Sequence, residues 1–182
     1  MNWITPLFLG ALFINLLIEV WLNIKNQFHI GKNREQVPED FADIVSLEAH
    51  QKAADYSRAK LQLGRLGLFY DVAILWFMTL GGGFQSIYTI WLQSGLETQW
   101  LEVAFLLSTL WVLSILHLPF AILSTFKIET EFGFNKTTPA KFVTDLLKQW
   151  LLILALGLPL IWIVLSIMTN FIEQAWWFYT WV

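Results

Sequence analysis

Apolar residues along the chain gather into long runs, and most polar residues fall in a few segments between them. Four runs, at roughly 3–24, 66–92, 100–126 and 150–169, are long enough to cross a bilayer. A spanning helix needs about 20 mainly apolar residues, and each run meets that length. A fifth run, "AWWFYTWV" at 175–182, is too short to span. It reads as the first turns of another helix or as an aromatic interfacial anchor. No Lys or Arg precedes the first run and no small-residue cleavage pattern follows it. Residues 3–24 are therefore expected to stay as a first helix rather than leave as a signal peptide. The predicted fold is all-α: a polytopic membrane helical bundle of four complete spans plus the start of a fifth, truncated from about 175.

The polar segments carry their own patterns. After Pro38, the residues Phe41, Ile44, Val45 and Leu47 begin an apolar helical spacing that Ala53, Ala54 and Leu61 continue weakly. Pro38 suits a helix start. One or two helices near the inner surface are expected in 25–65, with room to run on into the second span. Gly81-Gly82-Gly83 sits in the middle of that span. Small residues let helices approach closely in lipid, so the triplet reads as a packing notch or kink, with a hinge as the alternative. "KIETEFGFNKTTPAKF", residues 127–142, separates the third and fourth spans. Gly133 suits a turn with positive φ, and Thr138-Pro139 reads as an N-cap followed by Pro at the first helical position. Phe142, Leu146 and Trp150 then recur on one face, with Lys141 and Asp145 paired on the other. Residues 127–138 are thus expected as a structured loop, and 139–149 as an amphipathic lead into the fourth span.

Composition supports lipid as the solvent. The chain has 182 residues, the size of one domain, and is 57% hydrophobic and 14% charged, against roughly 25% charged in soluble domains. There is no Cys, which excludes a disulfide, a thiolate metal site and a Cys nucleophile. A net charge of −3 without a long one-sign run gives no support for nucleic acid as a partner. The basic residues are more informative. Residues 25–65 hold Lys25, Lys32, Arg34, Lys52, Arg58, Lys60 and Arg65, and residues 127–148 hold Lys127, Lys136, Lys141 and Lys148. The connections 93–99 and 170–174 hold none, nor does the N-terminus. Cytoplasmic loops collect Lys and Arg. Segments 25–65 and 127–149 are therefore expected inside and the N-terminus outside, in a bacterial inner membrane or an ER-type membrane.

Asn15, Glu19, Asp71 and His117 lie at similar depth in the inner parts of the spans, and the outer halves hold no ionisable group except Glu102 at the boundary. A charge in the hydrocarbon costs several kcal/mol, about 2.5–3.5 even on insertion scales. Such groups face a bundle interior or a water-filled cavity, or reach the headgroups from near a helix end. A polar inner half and a dry outer half suggest a cavity open to the inside. His117 reads as a hydrogen-bonded structural group or as a ligand. The three His residues, 29, 50 and 117, are isolated in sequence, and no His-Glu-x-x-His, Gly-x-Ser-x-Gly or phosphate-binding glycine loop occurs. By motif alone the chain carries no catalytic centre.

One stretch carries a resemblance. "LPFAILSTFKIETEFGFNKTTPAKFVTDLLK", 118–148, is similar to the N-terminal membrane region of the M48 zinc metallopeptidases, in the branch of the Ste24-type CAAX prenyl proteases. The matching residues are Leu118, Pro119, Phe120, Phe126, Ile128, Glu129, Gly133, Phe134, Asn135, Lys136 and Thr138. "EAHQKAADYSRAKLQLG", 48–64, resembles the family's first inside segment. The resemblance implies a polytopic helical protease with a large intramembrane chamber. It places a cytoplasmic zinc domain, with His-Glu-x-x-His and a further Glu ligand, between the fifth and sixth spans. None of those residues matches here, so no catalytic or metal residue carries over. The expectation is the N-terminal membrane part of an integral-membrane zinc metalloendopeptidase, inactive alone and without a cofactor of its own. Zinc is expected in the missing domain. The expected partners are the lipid bilayer, the C-terminal zinc-protease domain, and a peptide or prenylated-peptide substrate. Glu129, Gly133, Phe134, Asn135 and Lys136 form the candidate chamber-rim loop. Glu129 and Lys136 are expected to pair with each other or with that domain, or merely to fix the loop. The alternatives are a non-catalytic membrane scaffold or adaptor, and a small transporter subunit using the zone of Glu19, Asp71 and His117.

Overall fold

Lipid offers no hydrogen-bond partner to the backbone, so a chain this apolar satisfies its peptide groups within helices. The computed structural model describes residues 3–171 and 176–180, and among these no strand is found. Helix α1 covers Ile4–Lys32, a 3₁₀ turn covers Glu39–Phe41, and α2 covers Leu47–Thr79. Helix α3 is Gly83–Leu92, and α4 is Thr98–Ile122 with a π-helical continuation over Leu123–Glu129. Helix α5 is Pro139–Asn170 and α6 is Trp176–Tyr179. By length and composition α1, α2, α5 and α4 with its π extension are each able to cross a membrane. The chain is an all-α membrane protein. The expected start of a fifth span falls partly on α6 and partly on 172–175 and 181–182, which lie outside the described residues.

The helices differ from the apolar runs in two ways. First, they overshoot. Helix α1 continues past residue 24 to Lys32, and α2 takes in the polar stretch from Leu47 and runs unbroken into the second apolar run. The 29 residues of α1 are about 44 Å long at 1.5 Å rise, against a hydrocarbon thickness of about 30 Å. Residues 47–65 hold Ala, Leu, Gln, Lys and Arg, all strong helix formers, and no proline. Nothing there stops the helix. Second, the run 66–92 is not one helix. Helix α2 ends at Thr79, and Gly82, with φ +83°, caps the start of α3. Only glycine adopts that backbone freely, so the triplet is a helix break rather than a packing notch inside one helix.

The chain forms two compact units, 1–77 with 119–136, and 78–118 with 137–182. In the first, α1 and α2 are tied by side-chain bonds spread along their length. Asn23 Nδ2 donates to Leu61 O at 3.0 Å and Arg65 Nη1 to Gln27 Oε1 at 3.2 Å. At the polar end Arg34 donates to both carboxylate oxygens of Asp55, at 2.8 and 2.7 Å. That bidentate fork, with Glu35 beside it, raises the guanidinium pKa above its already high ordinary value. In the second unit, indole and hydroxyl groups join the helices. Trp91 Nε1 donates to Ser108 Oγ at 2.9 Å and Trp150 Nε1 to Ser114 Oγ at 3.1 Å. Phe84 and Tyr88 lie edge-on to Phe105. A Cβ added at Gly157 meets Leu107 Cδ2 at 3.3 Å, the close approach that small residues allow between membrane helices.

Helices α1 and α5 bury no residue, and large side chains such as Trp21, Phe28, Leu151 and Leu160 stand exposed on them. In water that surface is an aggregation liability; in hydrocarbon it is the surface that lipid or neighbouring helices cover.

The break at Gly82 predicts a sign reversal between two glycine substitutions. Gly82→Ala imposes an L side chain on a left-handed residue and is expected to destabilise by about 1–2 kcal/mol. Gly64→Ala, inside α2 with nothing within 4 Å of the added Cβ, is expected to stabilise by up to about 1 kcal/mol. Tm in detergent micelles checks both. A higher Tm for Gly82→Ala contradicts the break.

Candidate functional site

The site is built on one face of α2. Lys52, Tyr56 and Lys60 recur at i, i+4 and i+8, which stacks them along the helix. The segment 119–136 lies against that face. Pro119 sits inside α4 and cannot donate to the carbonyl four residues back. Phe120 packs its ring 5.0 Å from that of Tyr70 and 3.7 Å from where a Cβ of Gly67 would stand. The π-helix follows. Lys60 Nζ donates to Ser124 Oγ at 2.6 Å and reaches Glu129 Oε1 at 3.4 Å. Tyr56 takes Phe132 and Phe134 edge-on, at centroid distances of 5.5 and 4.9 Å. Lys52 Nζ stands 5.5 Å from the Phe134 ring centroid, a cation–π contact.

The turn itself hangs from Glu129. Its carbonyl accepts from Phe134 N at 2.7 Å and from Asn135 N at 2.9 Å. Gly133 has φ +76° and donates to Thr130 O at 3.1 Å, so the positive-φ turn expected there is present. Asn135 Nδ2 donates to Thr130 Oγ1 at 3.0 Å. Past the loop, Thr138 Oγ1 accepts from Lys141 N at 3.2 Å with Pro139 at the first helical position, the expected cap. Glu129 pairs with Lys60 on α2, and among the described residues no ion pair joins it to Lys136. Lys136 is exposed and has no ion-pair partner among the described residues. Sequence reasoning missed Lys52, Tyr56, Lys60, Ser124 and Phe132. The signal was the four-residue spacing within "KAADYSRAK", visible once 48–64 is taken as continuous helix.

The intramembrane polar residues divide. Asn15, Glu19 and Asp71 line one hollow of about 350 Å³ together with Leu12, Leu16, Leu68, Val72 and Leu75. Glu19 also borders a second hollow of about 280 Å³ with Asn23 and Asn26. The buried Asn23 Oδ1 there has no hydrogen-bond partner. His117 belongs to the other unit, and its Nδ1 lies 2.7 Å from Leu113 O, a bond within its own helix.

His29 and His50, far apart in sequence, line one hollow of about 540 Å³ with Asn33, Gln36 and Ser57. Among the described residues no group of three His, Asp or Glu side chains converges as a metal centre requires. His50 Nε2 is already 2.9 Å from Asn33 O. The donors present do not fit a zinc ion.

Comparison with known proteins places this geometry. The sequence model of a family described as CAAX prenyl protease N-terminal, five membrane helices, matches residues 26–182. The chain is 31% identical over 164 residues to the probable CAAX prenyl protease 1 of Schizosaccharomyces pombe, covering 79% of this chain and 34% of that one. It is 28% identical over 171 residues to the CAAX prenyl protease 1 homolog of Dictyostelium discoideum, covering 89% and 39%. The fold is similar to the crystal structure of S. mikatae Ste24p, with a TM-score of 0.85 at 24% identity over 94% of this chain and 40% of that one. The chain spans about two-fifths or less of the length of these relatives.

The aromatic clip predicts how the loop opens. Tyr56→Ala removes both edge-on contacts, each worth about 0.5–1.5 kcal/mol beyond area burial. Tryptic cleavage after Lys127 and Lys136 is expected to accelerate about tenfold. Tyr56→Phe, which keeps the ring, is expected to cleave as the parent chain does. Gly133→Val is expected to cost about 1–3 kcal/mol through strain at positive φ. An unchanged cleavage rate in Tyr56→Ala shows that the rings do not hold the loop.

Proposed function

Because the chain belongs to the N-terminal membrane family of the M48 CAAX prenyl proteases, we propose that it forms part of the wall of an intramembrane chamber and of that chamber's cytoplasmic rim. It is the membrane part of a Ste24-type protease. The C-terminal zinc-protease domain of the parent protein supplies the catalytic groups and docks at the end where the 127–136 turn lies. The substrate is a peptide or prenylated peptide, cleaved at the membrane by that domain. This chain contributes position and enclosure, and its own residues carry out no bond-breaking step.

The observation that carries the reading is the Lys60–Glu129 contact. It joins the two segments that hold all eleven Lys and Arg. Residues 127–136 of the second basic segment therefore meet the first basic segment at one end of the first unit, and the positive-inside bias favours a cytoplasmic reading of that end. The turn there is fixed by its own carbonyl, its glycine and three aromatic rings, whereas Lys136 at its tip is unspent. A connector between two spans needs no such fixing. A surface that receives another domain does.

Three measurements test the reading. Single cysteines at positions 33 and 137, in a chain without native Cys, are expected to label with an impermeant maleimide only from the cytoplasmic side. Labelling from the other side overturns the orientation. In a full-length chain carrying both halves, Lys136→Ala is expected to lower peptide cleavage about tenfold or more while Tm stays within about 1 °C, the behaviour of a surface substitution away from the core. Unchanged cleavage removes Lys136 from the docking surface. The 182-residue chain alone is expected to hold no stoichiometric zinc by metal analysis.

A further inference from the structure

We propose that Lys60 is a positioning residue that selects the π-helical register of residues 123–129, and that this register sets where the 130–136 turn stands. Its consequence for proteolysis rests on the rim reading above; the assignment of register does not.

The geometry is specific to the register. Ser124 and Glu129 are five residues apart, and one ammonium reaches both, at 2.6 and 3.4 Å. In an α-helix, residues five apart project about 140° from each other around the axis. In a π-helix the i→i+5 bonds close each turn, so such residues stand nearly one above the other. A single Lys60 side chain therefore bridges Ser124 and Glu129 only while the segment is π. One further contact shares the five-residue period: Thr130 Oγ1 donates to Thr125 O at 3.3 Å.

A π-segment does not persist on backbone energetics alone, because the α form is the better helix and π turns occur as short insertions. Pro119 upstream already withholds one helical donor. The side chains of Lys60 and Glu129 are 39% and 31% exposed, so their attraction is only partly screened by solvent. Rewinding 123–129 to α swings Glu129 away from Lys60. It also rotates the turn that hangs from the Glu129 carbonyl, and Phe132 and Phe134 leave the Tyr56 edge.

Cysteine pairs read the register directly in the cysteine-free 182-residue chain, reconstituted in lipid nanodiscs. Thr125→Cys with Thr130→Cys shares a face in the π register; Phe126→Cys with Thr130→Cys shares a face in the α register. With Lys60 present, dibromobimane is expected to bridge the 125/130 pair about tenfold faster than the 126/130 pair. Adding Lys60→Met is expected to invert the order, and Lys60→Arg, which keeps the cation, is expected to preserve it. Ser124→Ala removes one arm of the bridge without deleting the charge and is expected to narrow the ratio in the same direction, so the test survives a Lys60→Met chain that fails to insert. A faster 126/130 pair at the outset, an order unchanged by Lys60→Met, or a ratio unchanged by Ser124→Ala, overturns the proposal.

Discussion

Every peptide group that enters the hydrocarbon must find its partner within the chain, and this single requirement decides most of the structure. It makes the apolar runs helical, and it lets the helices overshoot the bilayer wherever no residue stops them. It also makes each departure from α geometry conspicuous. Three departures matter: the glycine break at 80–82, the proline inside α4, and the π-segment that follows it. Each frees or displaces backbone groups that must be satisfied again nearby. At the π-segment the return is made by a turn whose amides close onto the Glu129 carbonyl.

Side chains divide their work by depth. Along the apolar lengths the helices are held by hydroxyl–indole bonds and by close contacts at Gly67 and Gly157, with few residues buried. Toward the basic end the first unit changes style. Arg34 forks onto Asp55, Lys60 bridges Ser124 and Glu129, and Tyr56 holds two phenylalanines. A charge partly shielded from water keeps more of its attraction than one fully solvated, so ion pairs and cation–π contacts are most useful where lipid gives way to solvent. The densest set of specific contacts in the first unit lies at that basic end.

The sequence showed the spans because a run of about 20 apolar residues has few other meanings, and it showed the turn because Gly133 and Thr138-Pro139 have narrow conformational uses. It did not show that residues 47–65 belong to the same helix as the span. Apolar spacing weakens there, while helix propensity, the signal that decides, stays strong. Missing that continuity hid the Lys52–Tyr56–Lys60 face, and with it the partner of Glu129. The grouping of Asn15, Glu19 and Asp71 in one hollow was legible only as similar depth, because which faces of α1 and α2 meet is a tertiary fact. His29 and His50 were isolated by spacing and are joined only by the packing of α1 beside α2.

A membrane region that supplies no catalytic group still constrains catalysis through what it holds still. Reacting atoms tolerate little misplacement, and a shift of about 1 Å far from the chemistry can cost about a hundredfold in rate. On the proposed rim reading, a surface that receives a soluble domain must therefore be stiffer than a connector. In this chain stiffness comes from over-determination: the Glu129 carbonyl takes two amides, its carboxylate takes Lys60, and its neighbours Phe132 and Phe134 are held by one tyrosine. Among these contacts, Lys60 alone reaches both ends of the π-segment at once. The residue that matters most to the turn thus lies on another helix, more than sixty residues away in sequence.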